Sequence, residues 1–251
     1  MKQLTLLIIS VSLLLGCSSS DAPDCIQAAG DLVTKEFALS DFQRIRIEDG
    51  VRLVIRQADS YKVVLESGEF IIDDISVRKE DNLLVVANDN RCNFVREYGL
   101  TTVYVDAPNL VQIRNSSRFE VRSDGVLQYP SLNLLSNTSG EGSSGKKSGD
   151  FFLDIEVNNL QINANGISVF YISGTANNAF VQFSDEQPRL EGRDLIIQDL
   201  EIVQVSANKM IVNPQQSIIG VIRGAGDVIS VNTPPLVEVE ELFTGTLIFE
   251  D

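Results

Sequence analysis

Ser217–Val231 reads S-I-I-G-V-I-R-G-A-G-D-V-I-S-V. Two β-branched apolar runs, Ile218–Ile222 and Val228–Val231, flank a tight Gly224-Ala225-Gly226-Asp227. Glycines at that point can take the positive φ that a sharp corner needs. The same format recurs upstream at Asp154–Val157, Leu160–Ala164, Val169–Ile172, Phe180–Phe183, Leu195–Ile197, Ile202–Val205 and Met210–Val212. Short strands repeated with Gly, Asn and Asp at the corners predict a chain that coils and stacks on itself. Asp154-Ile155-Glu156-Val157 and Leu160-Gln161-Ile162 alternate inward apolar and outward polar positions, as a one-layer wall does. Asn158, Asn163, Asn177, Asn208 and Asn213 fall at the expected corners, where amides can bond to neighbouring coils; glycan hydrogen bonding is the alternative use.

Working outward, strand signals continue to Phe37. Phe42, Ile45 and Ile47 lead into Asp49-Gly50, a type I′ turn signal, after which Val51, Leu53 and Ile55 alternate with Arg52, Val54 and Arg56. Tyr61–Leu65, Ile71–Val77, Leu83–Val86, Thr102–Val105, Leu110–Ile113, Phe119–Val121 and Leu132–Leu135 complete the series. No window holds a 3.6-residue apolar period, so helix content is expected to be very low. Ser136–Asp150 is low in complexity and rich in Gly and Ser, which predicts a mobile surface loop with Lys146-Lys147 at a solvated tip.

The 251-residue chain is 43% apolar, enough for one large all-β domain or two small ones, and carries a formal charge of −15. That charge argues against nucleic acid, whose phosphates would be repelled. The absence of His removes the Ser-His-Asp and Cys-His dyads and the usual zinc ligand. Residues 1–16 form a positive start (Lys2), an apolar stretch Leu4–Leu15 too short to span a bilayer, and Gly16 before Cys17. This resembles a bacterial lipoprotein signal, which implies a lipid on Cys17, a membrane partner through that lipid, and a tether over 17–36. Leu15 is bulkier than the usual residue, and an ordinary cleaved signal with a chance cysteine is the alternative. Ser18 after Cys17 fits outer-membrane sorting. In such a compartment the remaining pair, Cys25 and Cys92, reads as a disulfide closing 67 residues (92 − 25).

Three segments together resemble the GIN-domain family, the heads of auto-transporter adhesins. They are Phe42 to Ile55 (F-x-x-I-x-I-x-x-G-V-x-L-V-I), Cys92-Asn93-Phe94-Val95-Arg96-Glu97-Tyr98, and Gly224-Ala225-Gly226-Asp227-Val228 followed by Pro234-Pro235. Ala225 stands where the family pattern has Ser, and the middle repeats are reduced to Asn165-Gly166 and Ser173-Gly174. The resemblance covers about residues 37–250. It implies a right-handed parallel β-helix, or β-solenoid, over 37–251, on the surface of a Gram-negative cell, with a glycan or surface protein as its partner. No cofactor is implied.

A scan for chemistry gives nothing above background. The 35 Asp and Glu residues make chance pairs inevitable, and Asp73-Asp74, Asp81 and Asp89 follow no calcium-loop pattern. Arg114, Arg118 and Arg122 recur every four residues and read as an exposed edge around Asn115-Ser116-Ser117. Glu238, Glu240 and Glu241 read as a solubilising cap on the last coil. The expectation is a non-enzymatic binding module without catalytic or metal-ligating residues. The alternatives are a carbohydrate-active lyase or hydrolase on the same fold, and a periplasm-facing structural protein.

Overall fold

The computed structural model describes residues 25–90, 92–138 and 146–250. The expected signal segment, Cys17 and the centre of the glycine-serine insert lie outside the described residues. The strands are β1 (Leu32–Phe37), β2 (Arg44–Glu48), β3 (Arg52–Gln57), β4 (Lys62–Gly68), β5 (Ile75–Glu80), β6 (Leu83–Asn88), β7 (Thr102–Ala107), β8 (Gln112–Ser116) and β9 (Val121–Leu127). They continue as β10 (Ser131–Ser136), β11 (Phe151–Ala164), β12 (Val169–Phe183), β13 (Arg189–Gln204), β14 (Met210–Ile222), β15 (Val228–Ser230), β16 (Leu236–Glu241) and β17 (Leu247–Phe249). A single 3-10 turn, Ile72–Asp74, is the one helical element among the described residues, and no helix there is long and apolar enough to cross a membrane.

All seventeen strands belong to one sheet that folds round a single apolar core. Two walls can be followed through it. The first runs β5, β6, β2, β8, β10, then the second halves of β11 to β14, then β16. The second runs β1, β4, β7, β3, β9, then the first halves of β11 to β14, then β15 and β17. Pairing is parallel throughout except at β5–β6, β1–β4 and β4–β7, which are antiparallel.

Alternation in the sequence becomes ladders in space. Leu65, Val103, Leu53, Val121, Phe151, Phe170, Leu190, Met210 and Val228 pair one onto the next up the second wall, all buried. Leu84, Ile45, Ile113, Leu134, Ile162, Val181 and Ile202 do the same up the first. Like side chains stack on like, and Phe151 lies on Phe170 with ring centroids 4.6 Å apart. Burying a Val, Leu, Ile or Phe side chain is worth roughly 1.5–3 kcal/mol, so these ladders hold the walls together.

Four expectations are corrected. Asp49 and Gly50 both have positive φ (44° and 90°), but β2 and β3 do not pair as a hairpin. The turn is a corner that passes the chain from one wall to the other, because each strand finds its partner in a different pass of chain. Successive passes also do not stack in simple order: β2 lies between β6 and β8, and β3 between β7 and β9. The corner glycines Gly224 and Gly226 are not in the positive-φ region. They are there for close approach, since a Cβ on Gly226 would meet Asn208 O at 1.9 Å. The positive φ in this stretch belongs to Gly220 (132°), inside β14, where a Cβ would meet Ile202 O at 2.0 Å. Lys146 and Lys147 are not a solvated tip: Lys146 Nζ pairs with Asp49, and Lys147 Nζ lies 2.6 Å from Glu186 and donates to Asn165 O at 2.7 Å.

Candidate ligand-binding groove

Along the outer face of the first wall, two outward-facing ladders rise side by side. One is Ser131, Asn159, Asn178, Asp199 and Ser217; the other is Asn133, Gln161, Phe180, Glu201 and Ile219. Between them the side chains of Leu132, Leu160, Ala179, Leu200 and Ile218 turn inward and are buried, so the backbone there forms a floor. The result is an open trough of about 600 Å³ across β10 to β14. At ~4.8 Å between neighbouring strands, its five strands span about 19 Å.

The trough is lined by the groups that recognise hydroxyl-rich polymers. Asn159 donates to Ser131 Oγ at 3.3 Å, Asn178 donates to Asn159 Oδ1 at 3.4 Å, and Ser217 donates to Asp199 Oδ1 at 2.6 Å. An amide offers two N–H donors and a carbonyl with two lone pairs, so these bonds leave each group with capacity for a ligand. The side chains of Gln161 and Glu201 make no hydrogen bond or ion pair with any other described residue. Half-buried Phe180 adds an apolar surface between them.

The second wall carries a different surface. Arg122 lies 4.1 Å over the Phe152 ring, and Phe152 stacks on Tyr171 at 4.7 Å with the planes 7° apart. Glu191, Arg193 and Asp194 border the same hollow. The shared faces of these rings are used up within the ladder, so they turn edges rather than flat platforms to solvent. The trough on the first wall is the better candidate site.

The remaining sequence candidates fall as follows. Cys25 and Cys92 are joined in a disulfide with Cα atoms 4.5 Å apart. Asn177 donates to Asn158 Oδ1 at 2.8 Å, Asn163 to Asn133 Oδ1 at 3.3 Å, Asn208 to Gln187 O at 3.3 Å and Asn213 to Arg193 O at 3.0 Å. These amides tie neighbouring passes of chain. The three spaced arginines do not form an exposed edge: Arg114 is buried and donates to Asn137 O at 2.9 Å. Burial, with Arg46 nearby, pushes its guanidinium below the ordinary arginine value. Among the described residues, no group of three or more His, Cys, Asp and Glu is gathered as a metal site. The trough residues escaped sequence reading, because singly each is an ordinary polar position on a strand.

Residues 41–234 match the family described as "Putative auto-transporter adhesin, head GIN domain". No curated protein matches the chain in sequence. Among solved structures, a "putative adhesin" from Bacteroides fragilis superposes with a TM-score of 0.79 at 17% identity, covering 89% of this chain and 99% of that one. A "putative adhesin" from Parabacteroides distasonis gives 0.64 at 13% identity over 89% and 99%. A "Putative lipid binding protein" from the same species gives 0.61 at 13% identity over 87% and 97%. At these identities the likeness is one of fold.

Proposed function

The chain belongs to the GIN head-domain family, and on that premise we propose that it is a non-enzymatic adhesin-type binding module. In this reading it is held on the outer membrane of a Gram-negative cell by lipid on Cys17. The body is a right-handed parallel β-helix displayed outward, and its ligand is a glycan or glycosylated surface partner. The observation that carries this is the trough, with amides, carboxylates and one aromatic in two parallel rows. Hydroxyls of a linear saccharide can bond to rows of this kind while its apolar edge meets Phe180. Asp199 and Glu201, on a body of charge −15, favour neutral or amino sugars over acidic ones. The binding reading outweighs hydrolysis because the two carboxylates lie side by side on β13, with Ser, Asn, Gln, Phe and Ile at the other outward positions. Glycosidases place their pair on opposite sides of the scissile bond, whereas both carboxylates here are exposed and project from one strand into an open trough.

The experiment uses intact cells carrying the full chain, a labelled set of neutral, amino and acidic polysaccharides, and external protease. Wild-type cells should bind a neutral or amino polymer and lose that binding on protease treatment. The Asn178→Ala/Glu201→Ala variant should bind about tenfold more weakly, the loss of about 1.4 kcal/mol of hydrogen bonding. Protection from protease until lysis would turn the domain inward. Equal binding by the variant would remove the trough from the account.

A further inference from the structure

A second surface lies at the root of the chain's body. Phe94 donates its N–H to Cys25 O at 2.9 Å, so the segment after Cys92 is laid against the point where the described chain begins. This segment is held firmly. Asn93 Oδ1 accepts the N–H groups of Val95 (3.2 Å) and Arg96 (2.7 Å). Arg96 donates to Gln27 O at 3.0 Å, Cys92 O at 2.9 Å and Asn90 Oδ1 at 2.5 Å. Asn93 and Arg96 thus look inward to the chain around them, the apolar residues look out, and Glu97 is exposed between Arg96 and Tyr98. Phe94 is 80% exposed, Tyr98 66% and Val95 60%, and Ile26 beside them is 43% exposed. Val95 and Ile26 border a shared hollow of about 450 Å³ with Ala28, Ala29 and Leu100, and Arg96 and Glu97 stand at its side.

We infer that Phe94, Val95, Tyr98 and Ile26 form a knob that seats in the interfacial layer of the phospholipid bilayer carrying the protein. The inference rests on the lipid anchor at Cys17 proposed above. Cys25 lies eight positions after Cys17, and a fully extended chain of eight steps reaches at most about 29 Å. The knob is therefore never far from the bilayer, and contact becomes an intramolecular event at high effective concentration. The residue types fit that layer: Phe and Val enter the acyl boundary, while a Tyr ring sits at headgroup level with its hydroxyl wet. The Tyr98 hydroxyl donates to Asn93 O at 3.1 Å, and Arg118 lies 5.7 Å from its ring, placed to meet lipid phosphate. With a net charge of −15, anionic headgroups are not what draws the body down, so seating should be insensitive to salt.

The chain contains no Trp, so one introduced indole reports alone. Full-length Phe94→Trp protein, purified with its acyl groups, is reconstituted into dioleoylphosphatidylcholine vesicles and into vesicles of the dibrominated-chain analogue. Phe243→Trp, at an exposed position near the far end of the stack, is the control. Emission from position 94 should shift to the blue and lose intensity in the brominated vesicles, and emission from position 243 should do neither. Acylated, vesicle-bound protein with position 94 unquenched overturns the seating and leaves the anchor standing. A blue shift that grows with protein concentration in detergent alone assigns the knob to a second copy and overturns it too. A mature N-terminus with no acyl mass on Cys17 removes the anchor and the seating together.

Discussion

The two ends of the stack are finished in different ways. At the N-terminal end the outermost parallel strands are covered by antiparallel ones, β5 on β6 and the β1–β4 pair on β7. Ile71 and Ile72 at the 3-10 turn are buried there, and the disulfide pins the incoming chain to the segment before β7. At the C-terminal end β16 and β17 are the last strands, still parallel to their neighbours. Leu236, Val237, Leu242 and Phe243 stay exposed, and Glu238, Glu240 and Glu241 accompany them. One end is closed by covalent and hydrophobic structure, the other defended by charge. Both address the problem of an open strand edge, the first with buried contacts and a covalent bond and the second with charge.

Removing the disulfide should break the comparison most. A closed loop of 67 residues is worth about 4 kcal/mol of chain entropy. Cys25→Ser/Cys92→Ser protein should lose about that much in denaturant titration. Hydrogen exchange should show protection falling first in β1, β4, β5 and β6, with β12 to β14 affected last. Uniform loss along the stack would mean that the N-terminal cover is not a separate unit. Next is Gly220→Ala, which places a methyl 2.0 Å from Ile202 O in a φ of 132°. It should cost about 1–3 kcal/mol and loosen β16 rather than β6. The smallest effect on stability belongs to Glu238→Thr/Glu240→Thr, within about 0.5 kcal/mol. Its readout is assembly: sedimentation at rising concentration should show more association than the wild type. Unchanged sedimentation would strip the acidic strand of its protective role.

Much of this architecture can be read from residues alone. Alternation in Val51-Arg52-Leu53 or Leu160-Gln161-Ile162 assigns each side chain to the inside or outside, because a strand has period two. Which strand neighbours which is another matter. Asp49-Gly50 announces a turn and says nothing of the partners of β2 and β3, which come from chain 39 to 68 residues later. The insertion of β2 between β6 and β8 has no local signature at all. Gly220 sits in an apolar run like any strand residue, and its need for glycine comes from a carbonyl on the preceding pass. The same holds for the trough: Asn178 and Glu201 acquire meaning only when stacking brings five strands into line. Arg114 looked exposed because its partner, Asn137, arrives from the next strand's end.

Between β11 and β12 the pairing runs from Phe151↔Phe170 to Ala164↔Phe183 with no slip. A segment of that one length, 19 residues, could be duplicated or deleted there and the surrounding partners would still meet. The trough would then grow or shrink by about 4.8 Å for each unit. A protein built this way carries an adjustable ruler, whose length can change while the pairing register at that step is kept.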